Sequence, residues 1–293
     1  MKKKILLVIL LLIIIFSIFI HINNSNNRNI DNIEKVNKEV DKIIRTYGYD
    51  ESFKEKLRYA SENFVYDPTE TYEEGLLRLE EYLGDLSIIY ENIDKIPDIG
   101  IWTLLNYPEN FFYTLGFVKG YDKGDKIDFK DFIFDIPYIM QTDPKWAYYS
   151  YGDSDIAIAG CGPTVMSMVA SYIKHNGKYT PKYMADLAIE NGWYVEGVGT
   201  EWLFMKEAPN ILGFEGEELP LDINIILKAL DNGDIVVLSL GPGDFTNSGH
   251  YIIVNGYEDG GLHVLDPNSW VNSEKIWPYS RIESQIRNIW SFR

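Results

Sequence analysis

The chain has 293 residues, 46% hydrophobic and 14% aromatic, enough for one large domain or a domain with a smaller attachment. Its formal net charge of -17 argues against a nucleic-acid binder, which needs basic patches for phosphate, and against electrostatic adhesion to an anionic membrane surface. A single cysteine, Cys161, excludes an intramolecular disulfide framework.

Lys2, Lys3 and Lys4 precede an apolar run from Ile5 to Ile20, interrupted only by Ser17. As a helix these residues span roughly 24 Å, a little short of a hydrocarbon core, and His21 and Ile22 narrow the gap. Lysines before the run predict a cytoplasmic tail (1–4), a single anchor (5–22) and an exported remainder facing outward. No Ala-x-Ala cleavage pattern follows, so an uncleaved anchor in the cell membrane is favoured over secretion after signal cleavage.

A polar stalk, Asn23–Asn29, leads into a helical region that extends to about residue 130. Helical spacing covers Ile30–Gly48, Glu51–Phe64, Thr71–Leu83 and Leu86–Ile93, with Thr69 or Thr71 and the acids Glu73 and Glu74 forming a cap. The aromatic stretch Ile99–Val118 is expected to pack on the domain C-terminal to it, and the charged, glycine-containing stretch 121–130 suits a boundary.

From residue 131 the texture is mixed. Phe132–Met140 reads as a strand, and helices are expected from Cys161, at Pro181–Asn191, at Glu201–Leu212 capped by Thr200, and at Leu221–Leu230. Strands follow at Ile235–Leu240, His250–Tyr257 and Leu262–Leu265, with a last helix at Tyr279–Trp290. Helices first and an antiparallel sheet after them is an α+β layout.

The block Gly160-Cys161-Gly162-Pro163-Thr164 sets the sole thiol at a helix mouth. Pro163 suits the first helical turn, and Val165, Met168, Val169, Tyr172 and Ile173 form the apolar stripe. There the helix dipole favours the thiolate, the nucleophilic form, although a buried, inert cysteine is the alternative reading. A cysteine nucleophile needs a base. His21 borders the anchor, and His175 ends the helix too far from the sulfur. His250 and His263 both lie in strand patterns, and the glycine-rich loop Gly241–Gly249 favours His250 as the one facing a cleft. The hairpin signal Asp259-Gly260-Gly261 brings His250 and Asp266 roughly within reach of each other.

Four ordered blocks carry a resemblance: Gln141-Thr142-Asp143-Pro144-Lys145-Trp146, the Cys161 block, Gly249-His250-Tyr251-Ile252-Ile253-Val254, and Asp266-Pro267-Asn268-Ser269. From about Ile136 to Phe292 the chain resembles bacterial papain-clan cysteine peptidases of the C39-like type, relatives of those that remove double-glycine leaders from bacteriocins. The resemblance implies a papain-like α+β fold over 131–293, with a helical half carrying the nucleophile and a sheet half carrying His and Asp. It implies Cys161 as nucleophile, His250 as base, Asp266 as orienter and Gln141 as oxyanion-hole donor, acting on a peptide or protein substrate. The residues themselves offer no metal-ligand spacing and no cofactor motif, so neither is expected. The gap from Gln141 to Cys161 is longer than in the leader peptidases and holds Trp146, Tyr148, Tyr149 and Tyr151, so a different cleft wall is expected. With no Gly-x-x-x-x-Gly-Lys motif and one apolar span, leader processing coupled to transport in the same chain is not expected. Gly162, Gly199, Trp202, Gly243 and Gly249 are candidate cleft residues. A catalytically silent peptide-binding module and a thiol acyltransferase are the alternative functions.

Overall fold

The computed structural model describes residues 32–132, 135–258 and 260–293. The candidate anchor 5–22 and the polar stalk lie outside the described residues; among those described, no helix is long and apolar enough to cross a membrane.

The first half is helical. α1 (32–46), α2 (Glu51–Asn63) and α3 (Tyr72–Leu83) are followed by the short α4 (Ser87–Tyr90), then α5 (Asp98–Asn106) and α6 (Phe111–Lys119). Asp50 caps α2 by accepting the Ser52 and Phe53 N–H groups, and Thr71 and Glu74 form the reciprocal capping box of α3. The helix expected over Leu86–Ile93 is shorter than its spacing predicts, and a 3₁₀ turn follows at Ile93–Lys95. α6 has every residue from Phe111 to Gly116 buried, because it lies between the other helices and the rest of the molecule.

A short turn α7 (Phe129–Phe132) precedes the second half. There β1 (Ser150–Tyr151) and β2 (Ser154–Asp155) form a small hairpin, followed by α8 (Ile156–Ala159), α9 (Cys161–Lys174) and α10 (Pro181–Glu190). A second hairpin, β3 (Tyr194–Val195) and β4 (Gly199–Thr200), leads to α11 (Trp202–Leu212), β5 (Gly216–Leu219) and α12 (Ile223–Asp231). Then come β6 (Ile235–Leu240), β7 (His250–Glu258), β8 (Gly261–Leu265), α13 (Trp270–Ser273), β9 (Ile276–Pro278), α14 (Tyr279–Ile282) and β10 (Ile286–Phe292). The main sheet is antiparallel, in the order β5-β10-β6-β7-β8-β9.

Side chains alternate across this sheet. Val237, Tyr251, Ile253, Leu265 and Trp290 join Val165, Met168 and Val169 of α9 in one buried cluster, which also takes in Val36, Leu57 and Leu104 of the helical half. Val236, Leu238, Ile252, Val254 and Val264 pack with Ile226 and Leu230 of α12 on the other face. The result is a mixed α/β molecule.

Three expectations are corrected. Residues 135–140 form no strand: Pro137 offers no N–H to a ladder, and the chain runs extended into Gln141, whose N–H is taken by the Pro267 carbonyl. Glu201, not Thr200, precedes α11 as its cap, and the Thr200 hydroxyl pairs instead with Tyr151. The last helix stops at Ile282; Ile286–Phe292 is a strand, β10, inserted between β5 and β6. Its two buried faces (Ile289 on one, Trp290 and Phe292 on the other) remove the polar alternation that would mark a strand in sequence.

Trp270 ties the halves together: it is 1% exposed, donates its indole N–H to the Glu109 carbonyl at 3.3 Å, and carries the Arg58 guanidinium over its ring. Trp270→Ala is expected to lower the unfolding midpoint by roughly 10 °C, from a loss of ~3–5 kcal/mol. Thermal melts followed by circular dichroism measure this, and a shift under about 3 °C contradicts a shared core at this position.

Candidate active site

α8 and α9 are consecutive helices joined at Gly160, and Asp155 caps α8 by accepting the Ile158 N–H. A side chain at residue 160 would place its Cβ 2.3 Å from the Ile156 carbonyl, so only glycine permits the reversal that presents Cys161 as the first residue of α9. At Gly162 a Cβ would lie 2.7 Å from Thr200, which places the β3–β4 hairpin against the helix mouth. Cys161 is free and half-buried.

His250 opens β7 opposite Leu240 of β6, and Asp266 follows β8 directly. The β7–β8 hairpin begins with Glu258 paired to Gly261 and Gly256 to His263. A bulge at Asn255 then shifts the register so that Val254 pairs with Val264 and Ile253 with Leu265. Counting by twos from the Val254–Val264 pair puts His250 and Asp266 on one face, as diagonal neighbours. Without the bulge Val264 would oppose Asn255, and His250 would point to the other face.

His250 Nε2 and Asp266 Oδ1 are 2.7 Å apart, and the two side chains are 6% and 1% exposed. The remaining Asp266 capacity is filled by the Asn268 N–H on Oδ1 at 2.9 Å and the Asn272 amide on Oδ2 at 3.0 Å. Burial is the largest single influence on the ring and acts to lower its pKa. The Asp266 charge and hydrogen bond, then the hydrogen bond and charge of Cys161, act the other way and prevail, pushing the ring up to about 10. The ring is therefore an imidazolium at neutral pH, held between carboxylate and sulfur. With Nε2 committed to Asp266, Nδ1 is left for Cys161.

Gln141 is 3% exposed and bridges the two walls of the site. Its side-chain Nε2 donates to the Ala157 carbonyl of α8 at 2.6 Å, while its backbone N–H donates to the Pro267 carbonyl at 2.8 Å. Its Oε1 is buried and meets no partner among the described residues.

Two further tyrosines, which no sequence motif assigns, belong to the site. Tyr151 and Thr200 share a hydroxyl–hydroxyl bond of 2.7 Å, and Tyr251 donates to the Thr200 carbonyl at 3.1 Å. Burial foremost, and then the neighbouring Cys161 charge, push the Tyr251 hydroxyl up; burial does the same for Tyr151, with a smaller contribution from Cys161. Both stay protonated near the sulfur. Tyr151 lies within the aromatic insert expected to alter the cleft wall, and Tyr251 directly follows His250. Neither signal singles out the residue.

The structure thus brings Cys161, His250 and Asp266 together with Gln141 beside them. Gly162 and Gly199 adjoin the helix mouth, and Trp202 stands half-exposed with its indole N–H on Ser239 at 3.0 Å. Gly249 leads into His250 with open space around it. Gly243 lies apart, packed on Gln285 and lining a cavity of about 240 Å³ shared with Tyr107, Asn268 and Asn272. His263 faces Glu258, not the sulfur. Among the described residues no group of three metal-ligating side chains is close enough to hold an ion.

The sequence model of the Peptidase_C39 like family matches residues 133–292, more than half of the chain. The chain is similar to the peptidase domain of Streptococcus ComA, described as a bi-functional ABC transporter involved in a quorum-sensing pathway. The identity is 24%, with 46% of this chain and 90% of that one covered and a TM-score of 0.37. It is also similar to a structure assigned as a C39-like peptidase from Bacillus anthracis, at 16% identity over 58% of this chain and 98% of that one, with a TM-score of 0.37. No curated protein matches.

The raised value of His250 makes a stability prediction. Its folded pKa of about 10 lies above its unfolded value of 6.5, so the pair contributes fully below pH 6.5 and its contribution is lost as pH rises through about 10. Asp266→Asn breaks the buried pair and is expected to cost ~3–5 kcal/mol near pH 6. Thermal melts at pH 6, 8 and 10 should show the gap from the parent narrowing with pH; a constant or widening gap contradicts the pairing.

Proposed function

The chain belongs to the Peptidase_C39 like family, and on that footing we propose that it is a papain-like cysteine peptidase acting through Cys161, His250 and Asp266. The observation that carries the reading is the buried His250–Asp266 pair whose ring also meets the Cys161 sulfur.

In this reading the reaction runs in two stages. The Cys161 thiolate attacks the carbonyl carbon of a peptide bond, and the oxygen takes the negative charge. The second N–H of Gln141 Nε2 and the Cys161 backbone N–H are the donors assigned to that oxyanion, each worth about 3 kcal/mol. His250, as imidazolium, gives its proton to the leaving amine as the C–N bond breaks, which leaves a thioester on Cys161. His250 then takes a proton from water, whose oxygen attacks the thioester; the carboxylic acid departs and the thiolate is restored. Asp266 keeps the ring oriented and stabilises its charge throughout. Tyr151 and Tyr251, protonated beside the sulfur, hold Thr200 against the helix mouth.

In this reading residues 131–293 are the catalytic region and 23–130 a stalk and helical region. The lysines before the apolar run Ile5–Ile20 support a single-pass anchor over 5–22 with the catalytic region outside the cell.

Because Cys161 is the only cysteine, alkylation of the full chain by iodoacetamide reads the site without a known substrate. Alkylation at pH 6.5 is expected to be at least about tenfold faster in the parent than in His250→Ala, with the difference closing above pH 9. Equal, slow rates in both would contradict a thiolate–imidazolium pair.

A further inference from the structure

We propose that the helical region positions the catalytic groups through Asn110, whose side chain ties the loop after Asp266 to the segment after Gln141. The inference rests on the assignment of Cys161, His250, Asp266 and Gln141 above, and it gives a function to a region that the family match at residues 133–292 does not include.

Asn110 is 2% exposed and ends the 3₁₀ turn Pro108–Asn110 between α5 and α6. Its Nδ2 donates to the Asn268 carbonyl at 3.0 Å, and its Oδ1 accepts the Thr142 hydroxyl at 2.8 Å. Asn268 gives its N–H to Asp266 Oδ1, the same oxygen that meets His250. Thr142 follows Gln141, whose N–H is bound by Pro267. One amide therefore holds both sides of the site: through Asn268 it fixes the carboxylate oxygen that orients the ring, and through Thr142 it fixes the approach of Gln141.

The neighbouring contacts converge on the same loop. Glu109 is buried; one carboxylate oxygen accepts Ser269 Oγ at 2.6 Å, and the other accepts the Ser61 hydroxyl. Arg58 makes a two-pronged bond to Glu274, both contacts at 2.9 Å. At the start of α1, Asn32 accepts the Asn255 amide at 2.7 Å, which pins the bulge that turns His250 toward Asp266. The segment Asp266–Glu274 is held from outside, by residues more than 150 positions away in the chain. Titratable groups around Asp266 include His250, Tyr107, Glu109 and Tyr138, while Asn110 does not titrate; its removal acts through geometry alone.

The test is a double-mutant cycle read by Cys161 alkylation in the full chain at pH 6.5, with thermal melts to establish folding. Asn110→Ala is expected to slow alkylation about five- to tenfold, the size of coupling between hydrogen-bonded neighbours. In a His250→Ala background the same substitution should change the rate less than about twofold, because the ring it orients is gone. Should Asn110→Ala not fold, Asn110→Ser decides by the same readout: it adds no charge, and its shorter side chain cannot hold Asn268 and Thr142 at once. A folded Asn110 variant that alkylates like the parent, or that slows equally in both backgrounds, overturns the inference. If parent and His250→Ala already alkylate alike, it is the proposed peptidase reading that fails.

Discussion

A buried imidazolium is tolerated here only because a buried carboxylate faces it at 2.7 Å. Burial alone would drive the His250 proton off, and the Asp266 charge reverses that sense. Much of the surrounding structure serves this contact. The Asn268 N–H and the Asn272 amide occupy the carboxylate's other positions, so neither charge is left uncompensated, and Ser273 accepts the Asp266 backbone N–H at 2.8 Å, which fixes the chain there. The sulfur at the α9 mouth then meets a fixed cation instead of a mobile neutral ring.

Two structural devices make the contact possible. The first is the single extra residue of the Asn255 bulge, which rotates the end of β7 so that His250 shares a face with Asp266. The second is the pair of glycines around Cys161. Gly160 lets the chain pass over the Ile156 carbonyl, and Gly162 lets the β3–β4 hairpin approach the helix mouth. The helical half buttresses both, sharing the cluster of buried side chains that lies under α9.

Local features are legible in the sequence. The Cys161 helix, the strand Ile235–Leu240, the hairpin after Glu258 and the Thr71–Glu74 box all follow from short-range chemistry, and the structure reproduces them. The nearness of His250 and Asp266 follows from counting along that hairpin, although the count alone gives the wrong face, because Val254-Asn255-Gly256 carries only a weak bulge signal. β10 reads as helix in sequence because a strand buried on both faces loses its alternation. The contacts of Glu109 and Asn110 with Ser269 and Asn268 span 160 and 158 positions, and no local pattern in one sequence encodes such pairings.

The central claim is that His250 is charged because Asp266 faces it. The direct measurement is nitrogen-detected NMR of the histidine rings in the full chain across pH 5 to 11, with the His250 signal assigned by its loss in His250→Ala. The account predicts a ring protonated on both nitrogens at pH 8 that titrates near pH 10, and a ring already neutral at pH 7 in Asp266→Asn. A His250 signal that titrates at about the ordinary value of 6.5 in the parent, or that ignores Asp266→Asn, would contradict it.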